Sequence, residues 1–370
     1  MKKYWFQIML FVIIAVISWI AAIEFRQMHV EENLYPSISF EKIMPLSDYG
    51  PSLKNSAGET EVYIFKGKEA GGKALIVGGT HPDEAAGYMT TYLLIENIQL
   101  EKGTIFIIPR ANKSGFTHNL PQEGCPQYFE IEGQNGVRTF RYGSRLTNPI
   151  DQWPDPEIYF HYPSGQKLAG NETRNLNRSY PGRENGTLTE QIAHAIINLI
   201  NQEKIDIAFD LHEASPEYPV VDAIVSPERS QEIATEAAME LEFEGLRYSM
   251  ELSPYNFRGL SHREWADFTQ TLPFLFESAN PIQGRLRGKT DARLIKTGQD
   301  KMYLVAVNLK ALTVPYDESG LPLKLRVGRH IAAWTKVVEV FSRNNPEKEI
   351  RISGLPTFDE LMENGLGPYF

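Results

Sequence analysis

The longest apolar run stands at the start of the chain. From Tyr4 to Ile23 only Gln7 and Ser18 are polar. As a helix this stretch is about 30 Å long, enough to span a bilayer. Lys2 and Lys3 precede it, and Glu24, Glu31 and Glu32 follow it. That asymmetry predicts a cytoplasmic start with the rest of the chain outside the cytoplasm. The competing reading is a cleaved signal segment with Ala22 near the cleavage point, which gives a secreted protein. The length of the run, and the absence of a polar stretch before Ala22, favour an uncleaved membrane anchor over residues 1–23. Residues 24–59 mix charges with Pro36, Pro45, Gly50 and Pro51, the composition of a stalk or meandering lead-in.

Beyond residue 60, strand and helix patterns alternate. Short β-type runs lie at Glu61–Phe65, Ala74–Val77, Thr104–Ile108, Ile205–Leu211 and Leu272–Phe276. Helical spacing of apolar residues marks Glu84 to about Ile98, Leu188–Ile200, Asp291–Leu312 and Val327–Phe341. Ser226–Pro227 reads as a cap and first-turn proline opening a helix to about Leu241. The alternation predicts an α/β domain over residues 60–313, a mixed and largely parallel central sheet flanked by helices, with residues 314–370 as a C-terminal extension. Functional side chains are then expected at the carboxyl ends of strands. Residues 110–187 break the pattern and show no convincing strand or helix. Their many aromatics, among them Tyr128, Phe140, Trp153 and Phe160, argue for an ordered wall or lid of a pocket.

Composition narrows the chemistry. The 370 residues carry 37 Lys and Arg against 47 Asp and Glu, a formal net charge of −10. Broad nucleic-acid binding, which needs a basic face, is therefore not expected. Cys125 is the single cysteine. An internal disulfide, a thiolate zinc site and an Fe–S cluster are excluded, so any metal must be held by His and carboxylates.

Four short stretches carry candidate chemistry. The run Ala74–Val77 ends in Gly78-Gly79-Thr80-His81-Pro82-Asp83-Glu84. His81 and Glu84, three apart at a strand-to-helix turn, can aim an imidazole and a carboxylate at one ion. The two glycines would let the backbone approach a ligand closely. Alone, the same residues also suit an ordinary helix start with acids in the first turn. Asp210-Leu211-His212-Glu213 closes another apolar run, and His212 alone would pass for a core histidine. A zinc-protease helix is excluded, because Pro216 stands where its second histidine belongs. Glu277 follows Phe274-Leu275-Phe276, where a carboxylate is costly unless it is paired or used, and where burial suits it to proton transfer. Arg174-Asn175-Leu176-Asn177-Arg178-Ser179-Tyr180-Pro181-Gly182 offers two arginines and two asparagines, a set suited to holding a carboxylate. Arg285, Arg287 and Lys289 read as a solvated basic turn.

Taken together, His81-x-x-Glu84, Asn177-Arg178, Asp210-Leu211-His212 and Glu277 resemble, in order and spacing between residues 80 and 280, the zinc carboxypeptidase superfamily. The nearer likeness is to its succinylglutamate desuccinylase/aspartoacylase branch, which carries a Gly-Gly-x-His-x-x-Glu turn, an Asn-Arg-x-Phe/Tyr-Pro-Gly stretch and an Asp-Leu-His. The resemblance implies one Zn²⁺ per chain on His81, Glu84 and His212. It implies Glu277 as general base and Asn177 with Arg178 as the holders of a substrate carboxylate. It also implies an upstream arginine at the oxyanion. Arg138, Arg141, Arg145 and Arg174 compete for that role, with Arg145 first and Arg174, also a substrate-binding candidate, second. One position departs from the pattern. The family often has Asp two residues before the Asn-Arg pair, orienting the first zinc histidine; here it is Asn175. Asp210 or Asp83 could supply the missing charge.

The function that follows is a zinc amide hydrolase acting on an N-acyl amino acid or related amide. The alternatives are a metallocarboxypeptidase trimming peptides or cell-wall peptide, and an inactive binding module of the same fold. Retention of both histidines and both glutamates argues against the last. Asn-x-Ser/Thr sites occur at Asn112, Asn171, Asn177 and Asn185. A glycan on Asn177 would fill the expected pocket, which points to a bacterial surface protein.

Overall fold

Each central strand has two apolar faces, and this dictates the layering. The computed structural model describes residues 4–120 and 125–370, so Lys2 and Lys3 lie outside the described residues. Strands β1 (Phe40–Pro45), β2 (Glu61–Lys66), β3 (Glu69–Val77) and β4 (Gln99–Ile108) open the chain. Two small hairpins follow, β5 (Tyr128–Gly133) with β6 (Gly136–Arg141) and β7 (Ile158–Phe160) with β8 (Lys167–Ala169). Then come β9 (Ile207–Ala214), β10 (Ala223–Ser226), β11 (Ser249–Leu252), β12 (Leu272–Ala279) and β13 (Arg351–Ser353). Nine of these strands form one sheet in the order β1-β2-β4-β3-β9-β12-β10-β11, with β13 beside β4. The middle four, β4-β3-β9-β12, are parallel. β1, β2, β10 and β13 join through antiparallel pairs. The expected mixed sheet with a parallel centre is therefore present.

Alternation along the strands separates two cores. Ala74, Ile76, Ile105, Ile107, Ile207, Phe209 and Leu211 face one side. There they meet helices α2 (Ala85–Asn97), α4 (Gln231–Phe243) and α8 (Leu323–Asn344). Leu75, Val77, Phe106, Ile108 and Ala208 face the other, against α3 (Leu188–Glu203) and Trp265 of α5 (Ser261–Phe268). α3 begins with a Thr187–Glu190 capping box, which fixes its start where the apolar spacing begins.

Several expectations need correction. The segment 110–187 does contain strands. Phe129 and Phe140 of its first hairpin stack in the core and Phe140 meets Phe370, so cross-strand aromatic pairs hold a ribbon too short to announce itself. Ser226 ends β10 rather than capping a helix, and α4 starts at Gln231 after one helical turn at Glu228–Ser230. The long helix expected over Asp291–Leu312 is two, α6 (Ala292–Thr297) and α7 (Lys301–Asn308). Gly298 sits between them in the left-handed region and Asp300 caps the second, a stop and restart in three residues. The last helix, α9 (Phe358–Asn364), opens with its own Thr357–Glu360 capping box.

At the N-terminus, α1 (Trp5–Gln27) has no buried residue and is long and apolar enough to cross a membrane, a test that a signal sequence also passes. Four residues after its end, Glu31 meets Arg110 at 2.8 Å and Lys113 at 2.7 Å, and Glu32 meets Arg110 at 3.1 Å. Within the stretch read as a stalk, β1 pairs with β2 and Leu46, Tyr49 and Leu53 are buried.

A candidate metal centre at the strand ends

The sheet brings three distant stretches to one edge. His212 and Glu277 are register partners on adjacent parallel strands β9 and β12. His81 and Glu84 lie in the turn between β3 and α2, where the Glu84 N–H donates to the His81 carbonyl. Gly79 makes this turn with φ +65, and a Cβ there would strike the Phe116 ring at 2.8 Å. A Cβ on Gly78 would strike Thr91 of α2 at 2.7 Å. These glycines serve packing of the turn against its own protein, not approach to a ligand. Gly87 lets α2 come down on β9, since a Cβ would sit 2.5 Å from the Leu211 carbonyl, one residue before His212.

The result is a tight donor set. His81 Nδ1 lies 2.8 Å from Glu84 Oε1, His212 Nδ1 lies 2.9 Å from Glu84 Oε2, and the two Nδ1 atoms are 3.1 Å apart. All three residues are buried. Among the described residues they form the one group of three His, Cys, Asp or Glu side chains whose ligand atoms lie within 4.8 Å of one another. Each outer imidazole nitrogen faces an acceptor. His81 Nε2 is 2.9 Å from Asn175 Oδ1, and His212 Nε2 is 2.9 Å from Asp210 Oδ2, off the line of a good hydrogen bond. Asp210 is in turn held by the Thr80 hydroxyl at 2.7 Å. With the outer nitrogens carrying the protons, both Nδ1 lone pairs point at the Glu84 carboxylate. That arrangement fits a divalent cation, and it is the usual way in which outer acceptors fix histidine ligands.

The electrostatics separate the two imidazoles. Burial, reinforced by Arg145, pushes His81 down to about 4 and keeps it neutral. Burial works against charge on His212, but Asp210 and Glu84 outweigh it and hold that imidazole well above its ordinary value. Burial disfavours the Glu84 carboxylate, yet the two histidines pull it well below the usual range. Burial, with Glu84 nearby, pushes the Glu277 carboxyl up to about 8, while His212 and Arg145 pull the other way. Glu277 Oε2 is buried without a hydrogen-bond partner.

These residues open into a cleft of about 480 Å³. Glu84, His212, Glu277, Arg145, Asn177 and Arg178 line it at the metal end. Arg145 donates to Glu84 Oε1 at 2.8 Å. Asn177 is fixed by the Ser261 N–H on its Oδ1 at 2.8 Å, and Arg178 lies over the Phe257 ring, 4.7 Å from its centroid. Val220, Val225 and Leu275 give the cleft an apolar wall. Arg174 is not brought in. Its guanidinium grips Asp155 through two bonds of 2.7 and 2.8 Å and the Thr147 carbonyl at 2.8 Å, so it braces the loop instead. Arg138 pairs with Glu96 and Arg141 donates to backbone carbonyls, which leaves Arg145 as the arginine of that set in the cleft. The aromatics expected to wall the pocket do not line it; Phe129, Phe140 and Tyr142 are core, while Trp153 and Phe160 are exposed. Sequence reasoning also missed Arg326 of α8, buried and 2.6 Å from Glu213 beside the second histidine. It sits in a part of the chain that carried no motif.

Residues 163–277 match the family model of the succinylglutamate desuccinylase/aspartoacylase catalytic domain. Over this segment the chain is similar to the zinc carboxypeptidase-like superfamily. The matched segment holds Asn177, Arg178, His212 and Glu277; His81 and Glu84 lie outside it and join the site through the fold. No curated protein matches the sequence. Among solved structures, a succinylglutamate desuccinylase from Silicibacter sp. TM1040 is 17% identical, with 59% of this chain and 53% of that chain covered and a TM-score of 0.37. The tripeptide-bound cell shape determinant Csd4 from Helicobacter pylori is 12% identical, covering 83% and 59%, with a TM-score of 0.49. A metallo-carboxypeptidase from Burkholderia cenocepacia is 11% identical, covering 83% and 66%, with a TM-score of 0.49. This chain thus spans about half the length of the desuccinylase it matches.

Proposed function

We propose that this chain is a membrane-anchored zinc hydrolase that cleaves an amide bond in a carboxylate-bearing substrate, an N-acyl amino acid or a related amide. One observation carries the reading: Glu84 and His212 of the His81, Glu84 and His212 donor set line the same cleft as the raised, unpartnered carboxyl of Glu277. His81, Glu84 and His212 would hold one Zn²⁺. Bound there, the ion supplies a water of lowered pKa, toward about 7, and polarises the scissile carbonyl. Glu277 takes a proton from the attacking water at Oε2 as the water oxygen bonds to the acyl carbon, and returns it to the amine nitrogen as the C–N bond breaks. Arg145, already beside Glu84, faces the developing oxyanion, and Arg178 with Asn177 holds the substrate carboxylate. α1 anchors the chain with the cleft outside the cytoplasm of a bacterium, or is removed to give a secreted form.

The apolar wall of Val220, Val225 and Leu275 favours a second reading, since it gives room for the side chain of a peptide's last residue. A product profile separates the two. The full chain, in detergent and loaded with zinc, would be offered N-acyl amino acids and short peptides, with products read by mass spectrometry. Free amino acid and acid from the acyl panel support the deacylase. Peptides shortened by one residue support the carboxypeptidase. No product from either, with zinc bound, would overturn the hydrolase reading for both substrate classes.

Two further outcomes are expected. His212→Ala should lose bound metal, measured by elemental analysis after dialysis; full occupancy would remove His212 from the ligand set. Metal binding should release protons. Asp210 and Glu84 favour a proton on His212, so binding there should displace it, and affinity should fall as pH is lowered. Calorimetry in buffers of differing ionisation enthalpy measures the count, and a value of zero would contradict the charge state.

A further inference from the structure

Asn175 is fully buried and its amide orientation is fixed by a donor that cannot change role. The Asn177 backbone N–H donates to Asn175 Oδ1 at 3.0 Å. The oxygen therefore faces His81, 2.9 Å from Nε2, and that nitrogen must be the one carrying the proton. The other end of the amide is also engaged: Asn175 Nδ2 donates to Glu172 Oε2 at 2.7 Å. The two residues that could have replaced a carboxylate at this position do not. Asp210 stands against His212, and Asp83 has a buried oxygen without a partner. Glu172 is the carboxylate in line behind His81.

Resting on the metal reading above, we propose that Glu172 is a positioning residue for the metal centre, acting on His81 through the Asn175 amide. Its charge polarises that amide and makes Oδ1 a stronger acceptor, which holds the His81 ring in the tautomer and plane that present Nδ1 to the ion. The negative charge that a directly contacting carboxylate would supply is thus moved one side chain outward. Glu172 also lies 3.9 Å from Arg178 Nε, so its rival role is to steady the arginine of the cleft.

Metal dissociation constants decide between these roles, measured by competition with a chromophoric zinc chelator on the full-length protein. Glu172→Ala should weaken zinc about 10-fold, the low end of what outer partners of metal ligands contribute. Glu172→Gln, which keeps size and an acceptor oxygen, should lose less. Asn175→Asp alone should also weaken zinc, because two carboxylates would meet at the present 2.7 Å contact. The pair Asn175→Asp with Glu172→Gln exchanges carboxylate and amide and should bind within about twofold of the parent or tighter, a strong departure from additivity. Melting of each metal-free variant checks that the fold is intact. Additive losses, or zinc affinity unchanged in both Glu172 variants, would overturn the proposal. A raised KM for a carboxylate substrate with unchanged zinc affinity would assign Glu172 to Arg178 instead. A parent protein that binds no zinc would overturn both this inference and the reading beneath it.

Discussion

Glu277→Gln is expected to lower kcat by about 10²–10⁴-fold, the usual worth of a positioned proton-transfer group, while metal content stays at the parent level. The two halves of that result come from different parts of the structure. The candidate donor atoms are those of His81, Glu84 and His212, and none of the hydrogen bonds among them ends on Glu277. Glutamine keeps the shape of the strand end and fills the same space, so the cleft should persist. What it lacks is a site that can gain and lose a proton. The carboxyl is suited to that task because burial lifts it to about 8, while His212 and Arg145 restrain the rise. Single-turnover kinetics with metal analysis on the same sample tests both halves. A rate unchanged by the substitution removes Glu277 as the base; a loss of metal would make it a ligand or a structural support.

The second large effect concerns folding. Arg326→Met is expected to destabilise the protein by about 3–5 kcal/mol, the cost of leaving one partner of a buried ion pair uncompensated. Glu213 and Arg326 have side chains 0% and 1% exposed and meet at 2.6 Å. Burial still holds the Glu213 carboxyl above its ordinary value despite the arginine, so the charge is poorly tolerated even when paired. Glu213 also accepts from the Ala86 N–H at 2.8 Å and from Asn280 at 3.0 Å, which ties α2 and the end of β12 to the residue after His212. Adding Glu213→Gln to the arginine variant should recover part of the loss, because the amide keeps an acceptor and removes the stranded charge. Urea unfolding of the metal-free chain measures both. If Arg326→Met alone costs under about 1 kcal/mol, within the range of ordinary substitutions, the pair does not hold the site together. A chain ending at residue 313 lacks this arginine and is expected not to fold.

That last point marks where the sequence stopped being readable. That His81, Glu84, His212, Glu277 and the Asn177-Arg178 pair meet at one place was legible because each stands at the end of an apolar run or in a short, ordered motif. Local pattern is enough there: a strand of period two must deliver its next polar residue to the sheet edge. The role of α8 was not legible. Its amphipathic spacing announces a helix, yet nothing local says that Arg326 turns inward to a carboxylate 113 residues away. Arg174 misled for the same reason, since its partner Asp155 lies in a loop without periodicity. The hairpins of 110–187 were hidden by their shortness. Residues 291–312 looked like one helix because the apolar spacing runs past Gly298, whose left-handed backbone breaks it.

The docking of Glu31 and Glu32 onto Arg110 and Lys113 sets a length as well as a contact. Three residues, Met28 to Val30, lie between the end of α1 and the first of these pairs, a span of four residue steps. A chain covers at most about 3.6 Å per residue, so the leash is on the order of 14 Å. With α1 in a bilayer, as proposed, the cleft cannot sweep a wide volume. The fold, and not a long flexible stalk, then sets how far the cleft stands from the lipid.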